Sequence, residues 1–180
     1  MEIGVKKQTG LVHVYFGNGK GKTTTGMGLC TRAAGSGYKV LIYQFMKDNK
    51  TNERNVLKLA DNITLMEGLD EEKFSYCQTE KERRERIEFY AAQFKEATRQ
   101  AEQNYHVLFL DEVLYAIQVG LLDEEMVLKY LQNKPKDLEI ILTGNTPSEA
   151  LINIADYVSE IKKIKHPFDA GQPARIGIEL

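Results

Sequence analysis

This 180-residue chain predicts a three-layer α/β/α sandwich, a mostly parallel sheet with helices on both faces, built as one domain over residues 1–180. Three observations carry that expectation. Apolar, β-branched runs recur along the chain with helical stretches between them. A glycine- and lysine-rich turn separates the first run from the first helix. A later run ends in two adjacent carboxylates, Asp111 and Glu112.

The first strand is Leu11-Val12-His13-Val14-Tyr15-Phe16, and Thr25 to Ala34 winds as the first helix. Lys39 to Phe45 follows as a second strand, introduced by the turn residues Gly35 and Gly37. Lys47 to Asn55 is too rich in Asn, Lys and Glu to be core. Ile63 to Met66 is a short strand. Residues 78–104 carry the longest helical pattern, with Ile87, Tyr90, Ala91, Phe94, Thr98 and Ala101 along one face. The mixed-sign run from Lys81 to Arg86 reads as a solvated face. His106 to Leu110 and Leu138 to Leu142 are central strands, and between them Asp123 caps a helix through Met126, Val127, Tyr130 and Leu131. Two further strands are expected around Tyr157 to Ile164 and Arg175 to Leu180.

Composition is that of an ordinary globular protein: 42% hydrophobic, 28% charged, formal net charge −2. That balance offers no general attraction for nucleic acid or a membrane surface. No apolar stretch is long enough to span a bilayer, and the first residues lack the apolar core of a signal peptide. Cys30 and Cys77 stand apart from each other and from every histidine, so neither reads as a metal ligand or a disulfide. A cytoplasmic protein with reduced thiols is expected.

The turn Gly17-Asn18-Gly19-Lys20-Gly21-Lys22-Thr23-Thr24 has the makings of a phosphate-binding loop, which places the fold in the phosphate-loop NTPase (RecA-like) class. Glycines let backbone N–H groups converge on an anion, and the following helix adds positive charge at its N-terminus. Lys22 would reach terminal phosphates, and the Thr23 hydroxyl would ligate Mg²⁺. The usual spacing, G-x-x-x-x-G-K-[ST], needs glycine at position 16, where this chain has Phe16. The loop is one residue shorter. Asp111 and Glu112 fall at the carboxyl edge of the sheet, where ligands bind. One would hold Mg²⁺ (or Mn²⁺), directly or through water, while the other orients a water or a side chain.

Gln44, Lys47 and Thr143-Gly144-Asn145 also stand at strand ends, where ligand contact and loop chemistry look alike. His13 reads as a hydrogen-bonded structural residue within its strand, and His106 merely opens one. His166 lies in the turn-rich Lys165-His166-Pro167-Phe168-Asp169-Ala170-Gly171, where a role in the site stays open. Phosphate loop plus acids fits ATP hydrolysis, phosphoryl transfer to a small molecule, or chemistry elsewhere on the nucleotide.

Taken together, these segments resemble the ATP:corrinoid adenosyltransferases. The resemblance rests on the shortened loop, then Arg32-Ala33, Gly35-x-Gly37, Gln44-Phe45-x-Lys47 and Glu53-Arg54-Asn55. It continues through Leu110-Asp111-Glu112, Thr143-Gly144, Ala155-Asp156-x-Val158-x-Glu160 and the segment from Lys165 to Gly171, in order from about residue 11 to residue 179. It implies transfer of the 5′-deoxyadenosyl group of ATP to the cobalt(I) of a reduced corrinoid, with release of tripolyphosphate. The triphosphate would lie reversed on the loop, held by residues 17–24, with Lys22 and Glu112 serving the chemistry and Thr23, Asp111 and Glu112 the metal. Phe74 and Tyr76 match the aromatics that exclude a lower axial ligand from cobalt(II), although relatives often carry tryptophan at the second position and this chain has none. Asn145 replaces a usual arginine, and Arg54 would compensate as a nucleotide contact. A reduced flavoprotein as electron donor and a homodimer are further implications. The rival reading is a phosphate-loop ATPase or small-molecule kinase, and a third is a binding protein without turnover.

Overall fold

Alternation along the strands decides the architecture. In a computed structural model, which describes residues 9–69 and 79–179, odd and even strand positions feed two separate cores. Leu41 and Tyr43, Leu108 and Leu110, and Ile140 and Leu142 are buried on one face of the sheet. Val40 and Ile42, Val107 and Phe109, and Ile141 are buried on the other. A strand hydrophobic at every position must be covered on both sides. Hence the three layers.

The strands are β1 (Val12–Phe16), β2 (Val40–Gln44), β3 (Ile63–Leu65), β4 (Val107–Asp111), β5 (Glu139–Gly144) and β6 (Tyr157–Glu160). Among the described residues they form one sheet in the order β3-β2-β4-β5-β1-β6, with every neighbouring pair parallel. Six carboxyl ends therefore line up along one edge. Helix α1 (Lys22–Gly35) lays Met27 and Cys30 on the face shared with Val40 and Phe109. Burial pushes the Cys30 thiol up, so it stays protonated and inert. The opposite face is covered by α3 (Glu80–Asn104), α4 (Val113–Gln118), α5 (Glu124–Asn133) and α6 (Glu149–Ile154).

Local chemistry sets the helix starts. Thr79 and Glu82 form a reciprocal capping box on α3, and Asp123 accepts from the Glu125 N–H at 3.1 Å to cap α5, as expected. Helix α1 begins three residues earlier than its apolar pattern suggests, directly on the glycine-rich turn.

Four expectations are corrected. The buried seam of α3 runs through Arg86, Tyr90, Phe94, Ala97, Thr98 and Ala101, leaving Ile87 exposed and Arg86 buried inside a charge run that reads as solvated. The polar segment after β2 contains a short helix, α2 (Glu53–Leu57), with Arg54 and Leu57 buried. The strand expected around Tyr157 to Ile164 stops at Glu160. The strand expected from Arg175 is a turn instead: the Ile178 and Glu179 N–H groups donate to the Arg175 carbonyl, and the Arg175 guanidinium closes on Glu179 at 2.8 Å.

At His13, Nε2 lies 2.5 Å from Glu139 Oε1 and the ring stacks on Tyr157, so the residue is structural as expected. Burial pushes the Glu139 carboxyl up, but His13 and the N–H groups of Leu11 and Gly10 outweigh it and hold it below the usual range.

Helix α1 meets the sheet so closely at Gly26 that a Cβ there would stand 2.3 Å from the Phe109 ring. Gly26→Ala should therefore destabilise the protein by about 1–3 kcal/mol in denaturant unfolding. Adding Phe109→Leu should recover part of that loss; no recovery in the double variant would refute the steric cause.

Candidate functional site

The loop between β1 and α1 is short because Phe16 is still in the sheet, paired with Gly144 on one side and Glu160 on the other. Residues 17–21 alone make the connection. The Gly17 N–H donates to the Asn145 carbonyl at 2.9 Å and the Gly19 N–H to the Ile161 carbonyl at 2.8 Å. Asn18 Oδ1 accepts from the Lys163 N–H at 2.8 Å. A Cβ at position 17 or 19 would lie 2.5 or 2.7 Å from the Ile161 oxygen, so this close approach requires glycine at both. Three loop groups are thus committed to holding the loop itself.

What faces outward is the first turn of α1. Helix geometry leaves the N–H groups of Lys22, Thr23 and Thr24 without intrahelical partners, and the helix dipole adds positive charge there. Lys22 folds back over the turn, its ammonium donating to the Gly19 carbonyl at 3.0 Å. Gly21 lines the same opening. Lys20 lines the opening too, donating to Glu179 at 2.8 Å.

Asp111 ends β4 with no exposure at all. Its Oδ1 accepts from the Thr143 hydroxyl at 2.7 Å and from the Thr23 hydroxyl at 2.9 Å. Its Oδ2 accepts from the Lys47 ammonium at 2.7 Å and from Gln44 Nε2 at 3.1 Å. Both oxygens are filled by donors, so of the two carboxylates this one orients its neighbours. Glu112 is different. It takes the left-handed conformation, φ 57°, with its N–H donating to Thr143 Oγ1 at 2.9 Å, and its carboxylate lines the cleft without a hydrogen bond among the described residues. Burial and the charge of Asp111 push its carboxyl up, against the pull of Lys47 and Lys22.

These groups border a cleft of about 1240 Å³. Loop residues 18–24 form one side and Met46, Lys47 and Asp48 another, with Glu112, Tyr115 and Asn145 at its floor and His166, Phe168, Ile178 and Glu179 at its rim. The volume exceeds that of most small-molecule pockets.

The donor set fits a magnesium ion carried in by phosphate. The Thr23 hydroxyl donates a hydrogen bond to Asp111 and accepts one from Lys47, which leaves one lone pair, and Glu112 adds a second hard oxygen. Among the described residues no group of three or more His, Cys, Asp or Glu could hold a metal alone. Phosphate oxygens and water would complete the shell.

Arg54 does not line the cleft. It is buried, donating to the Met66 carbonyl at 3.2 Å from both Nη atoms, to Glu67 at 3.2 Å, and at 3.5 Å to the Gln44 oxygen. It supports Gln44, and through it Asp111. Asn145 keeps the loop in place through its backbone carbonyl, a contact that any side chain preserves. His106 Nδ1 accepts from the Lys39 N–H at 3.0 Å, far from the cleft, whereas His166 caps a short 3-10 turn at the rim. Phe74 and Tyr76 lie outside the described residues. Sequence reasoning missed Thr143 as the organiser of both acids and residues 161–163 as the brace of the loop; a tail segment carries no local signal that it packs on a turn 140 residues away.

A family model described as ATP:corrinoid adenosyltransferase BtuR/CobO/CobP matches residues 8–180. The corrinoid adenosyltransferase of Escherichia coli is 34% identical over 96% of this chain and 86% of its own length. The corrinoid adenosyltransferase CobA of Salmonella typhimurium is 32% identical over 97% of this chain and 87% of its own. Among solved structures, EssC (ATPases 2 and 3) from Geobacillus thermodenitrificans superposes with a TM-score of 0.52 at 16% identity, over 95% of this chain and 35% of that one. That likeness is one of fold alone. No helix among the described residues is long and apolar enough to cross a membrane.

Thr143→Val keeps the shape of the side chain but strips a donor from Asp111 and an acceptor from the Glu112 N–H. It should cost about 1–3 kcal/mol of stability. Thr143→Ser should restore most of it, measured by thermal unfolding; a serine variant as unstable as the valine one would remove the hydroxyl from this account.

Proposed function

The chain belongs to the BtuR/CobO/CobP family of ATP:corrinoid adenosyltransferases, and from that premise we propose that it moves the 5′-deoxyadenosyl group of ATP onto the cobalt(I) of a reduced corrinoid, with tripolyphosphate as leaving group. One observation carries the reading at the level of residues. Lys22, the first turn of α1, Thr23 and Glu112 converge on a single cleft beside the shortened loop.

The cobalt lone pair attacks C5′ of the ribose, the C5′–O bond breaks, and its electrons leave on the triphosphate; cobalt becomes formally cobalt(III). Two tasks fall to the protein. It holds nucleophile and C5′ in line, which removes translational and rotational entropy from the barrier. It also stabilises charge on the departing chain of phosphates, for which the N–H groups of the first turn of α1 and Lys22 are preorganised donors. When bound, magnesium would supply further charge neutralisation on those oxygens. Thr23 and Glu112 would hold it, while Asp111 fixes the Thr23 proton.

Phe74 and Tyr76 are assigned to the corrinoid side, as large apolar plates that keep a lower ligand off cobalt(II) and ease its reduction. The family likeness also supports a homodimer, a reduced flavoprotein donor and a cytoplasmic setting.

The decisive experiment is an anaerobic assay with Mg-ATP and chemically reduced cob(I)alamin, following the cobalt–carbon product by absorbance and tripolyphosphate by chromatography. Equal amounts of both are expected. ADP without a cobalt–carbon bond would sink the proposal. Lys22→Ala should lower turnover about 10²- to 10³-fold with folding intact.

A further inference from the structure

A cation of the chain itself already stands where the metal is expected. Thr23 Oγ1 gives its proton to Asp111 Oδ1 at 2.9 Å and accepts from the Lys47 ammonium at 2.9 Å. The same ammonium lies 2.7 Å from Asp111 Oδ2, and the charge of Lys47 also acts on Glu112. Lys47 comes from the turn after β2, next to Met46, whose φ of 56° puts a non-glycine residue in the left-handed region. Its side chain borders the cleft and is 23% exposed, whereas that of Asp111 is wholly buried.

We propose that Lys47 is the resident cation of this site. It neutralises Asp111 and holds the Thr23 hydroxyl in the orientation a metal needs while the cleft is empty of nucleotide. It leaves Thr23 for the triphosphate when a metal–nucleotide complex enters. The proposal rests on the reading that the cleft takes such a complex.

Three physical points support the exchange. A hydroxyl has two lone pairs, so sterics alone would admit both cations, but two cations sharing one hydroxyl in a partly buried site would repel strongly. A triphosphate brings several anionic oxygens within reach of the same side chain. A lysine can follow them on its flexible four-carbon stem without moving the backbone. The device keeps a buried carboxylate paired in both states, first with the ammonium and then through Thr23 with the metal.

The test uses Mn²⁺ as probe, read by electron paramagnetic resonance, on the full chain without nucleotide. Lys47→Met and Lys47→Gln should bind Mn²⁺ about tenfold more tightly than the wild type. In EDTA, both should bind metal-free ATP about tenfold more weakly, since the phosphate contact is lost. Lys50→Met removes a nearby exposed ammonium that stands 3.9 Å from Asp48, and should change either affinity less than about twofold. Lys47→Gln retains an amide donor toward Asp111, so a folded variant remains if the methionine one does not fold. Mn²⁺ affinity unchanged or weaker in the folded Lys47 variants, with the wild type binding Mn·ATP normally, overturns the proposal alone. A wild type that binds no Mn·ATP overturns the nucleotide reading beneath it.

Discussion

One carboxylate without solvent organises the carboxyl edge of this sheet. An ionised group sealed from water is expensive unless charge and hydrogen bonds replace its hydration. Asp111 obtains both from four places: Thr23 on α1, Gln44 on β2, Lys47 after β2 and Thr143 on β5. Gln44 and Lys47 share one segment, and it, α1 and β5 lie far apart in sequence and are brought to one point by the strand order. Removing a charged partner from a buried pair typically costs about 3–5 kcal/mol. The acid is therefore a tether for the site as much as a chemical group, and the position of Glu112 follows from it, since Thr143 bonds Asp111 and the Glu112 backbone together.

Much of this was legible in the chain before any coordinates. Uniformly apolar runs such as Leu41-Ile42-Tyr43 announce a strand covered on both faces, and glycines before Lys22-Thr23 announce a tight turn into a helix. Local patterns failed where burial depends on partners distant in sequence. Arg54 sits in a stretch of polar residues and is nonetheless 1% exposed, because the Met66 carbonyl, Glu67 and Gln44 take its Nη donors. Arg175 to Leu180 alternates like a strand, yet β6 already closes that side of β1, and the Arg175–Glu179 pair folds the segment into a turn. Gln44 and Lys47 were visible as strand-end polar residues, but nothing in their spacing says that both point at the same oxygen.

A likeness of fold at 16% identity carries no chemistry with it. The shortness of the loop has a local cause: Phe16 remains paired in the sheet, so the turn cannot begin before residue 17. The turn therefore starts at the strand end and leans on the residues after β6, so its outer wall is built from a segment distant in sequence.

That dependence bears on how the protein is made. The strand, the loop and the first helix precede their seats, Asn145, Ile161 and Lys163, in the order of synthesis. A nascent chain therefore carries the glycine-rich motif before the braces that shape it exist. The turn has no fixed shape of its own until that later segment packs on it. Its geometry becomes a property of the finished fold, and truncation before residue 161 should leave the motif in the sequence without the contacts that brace it.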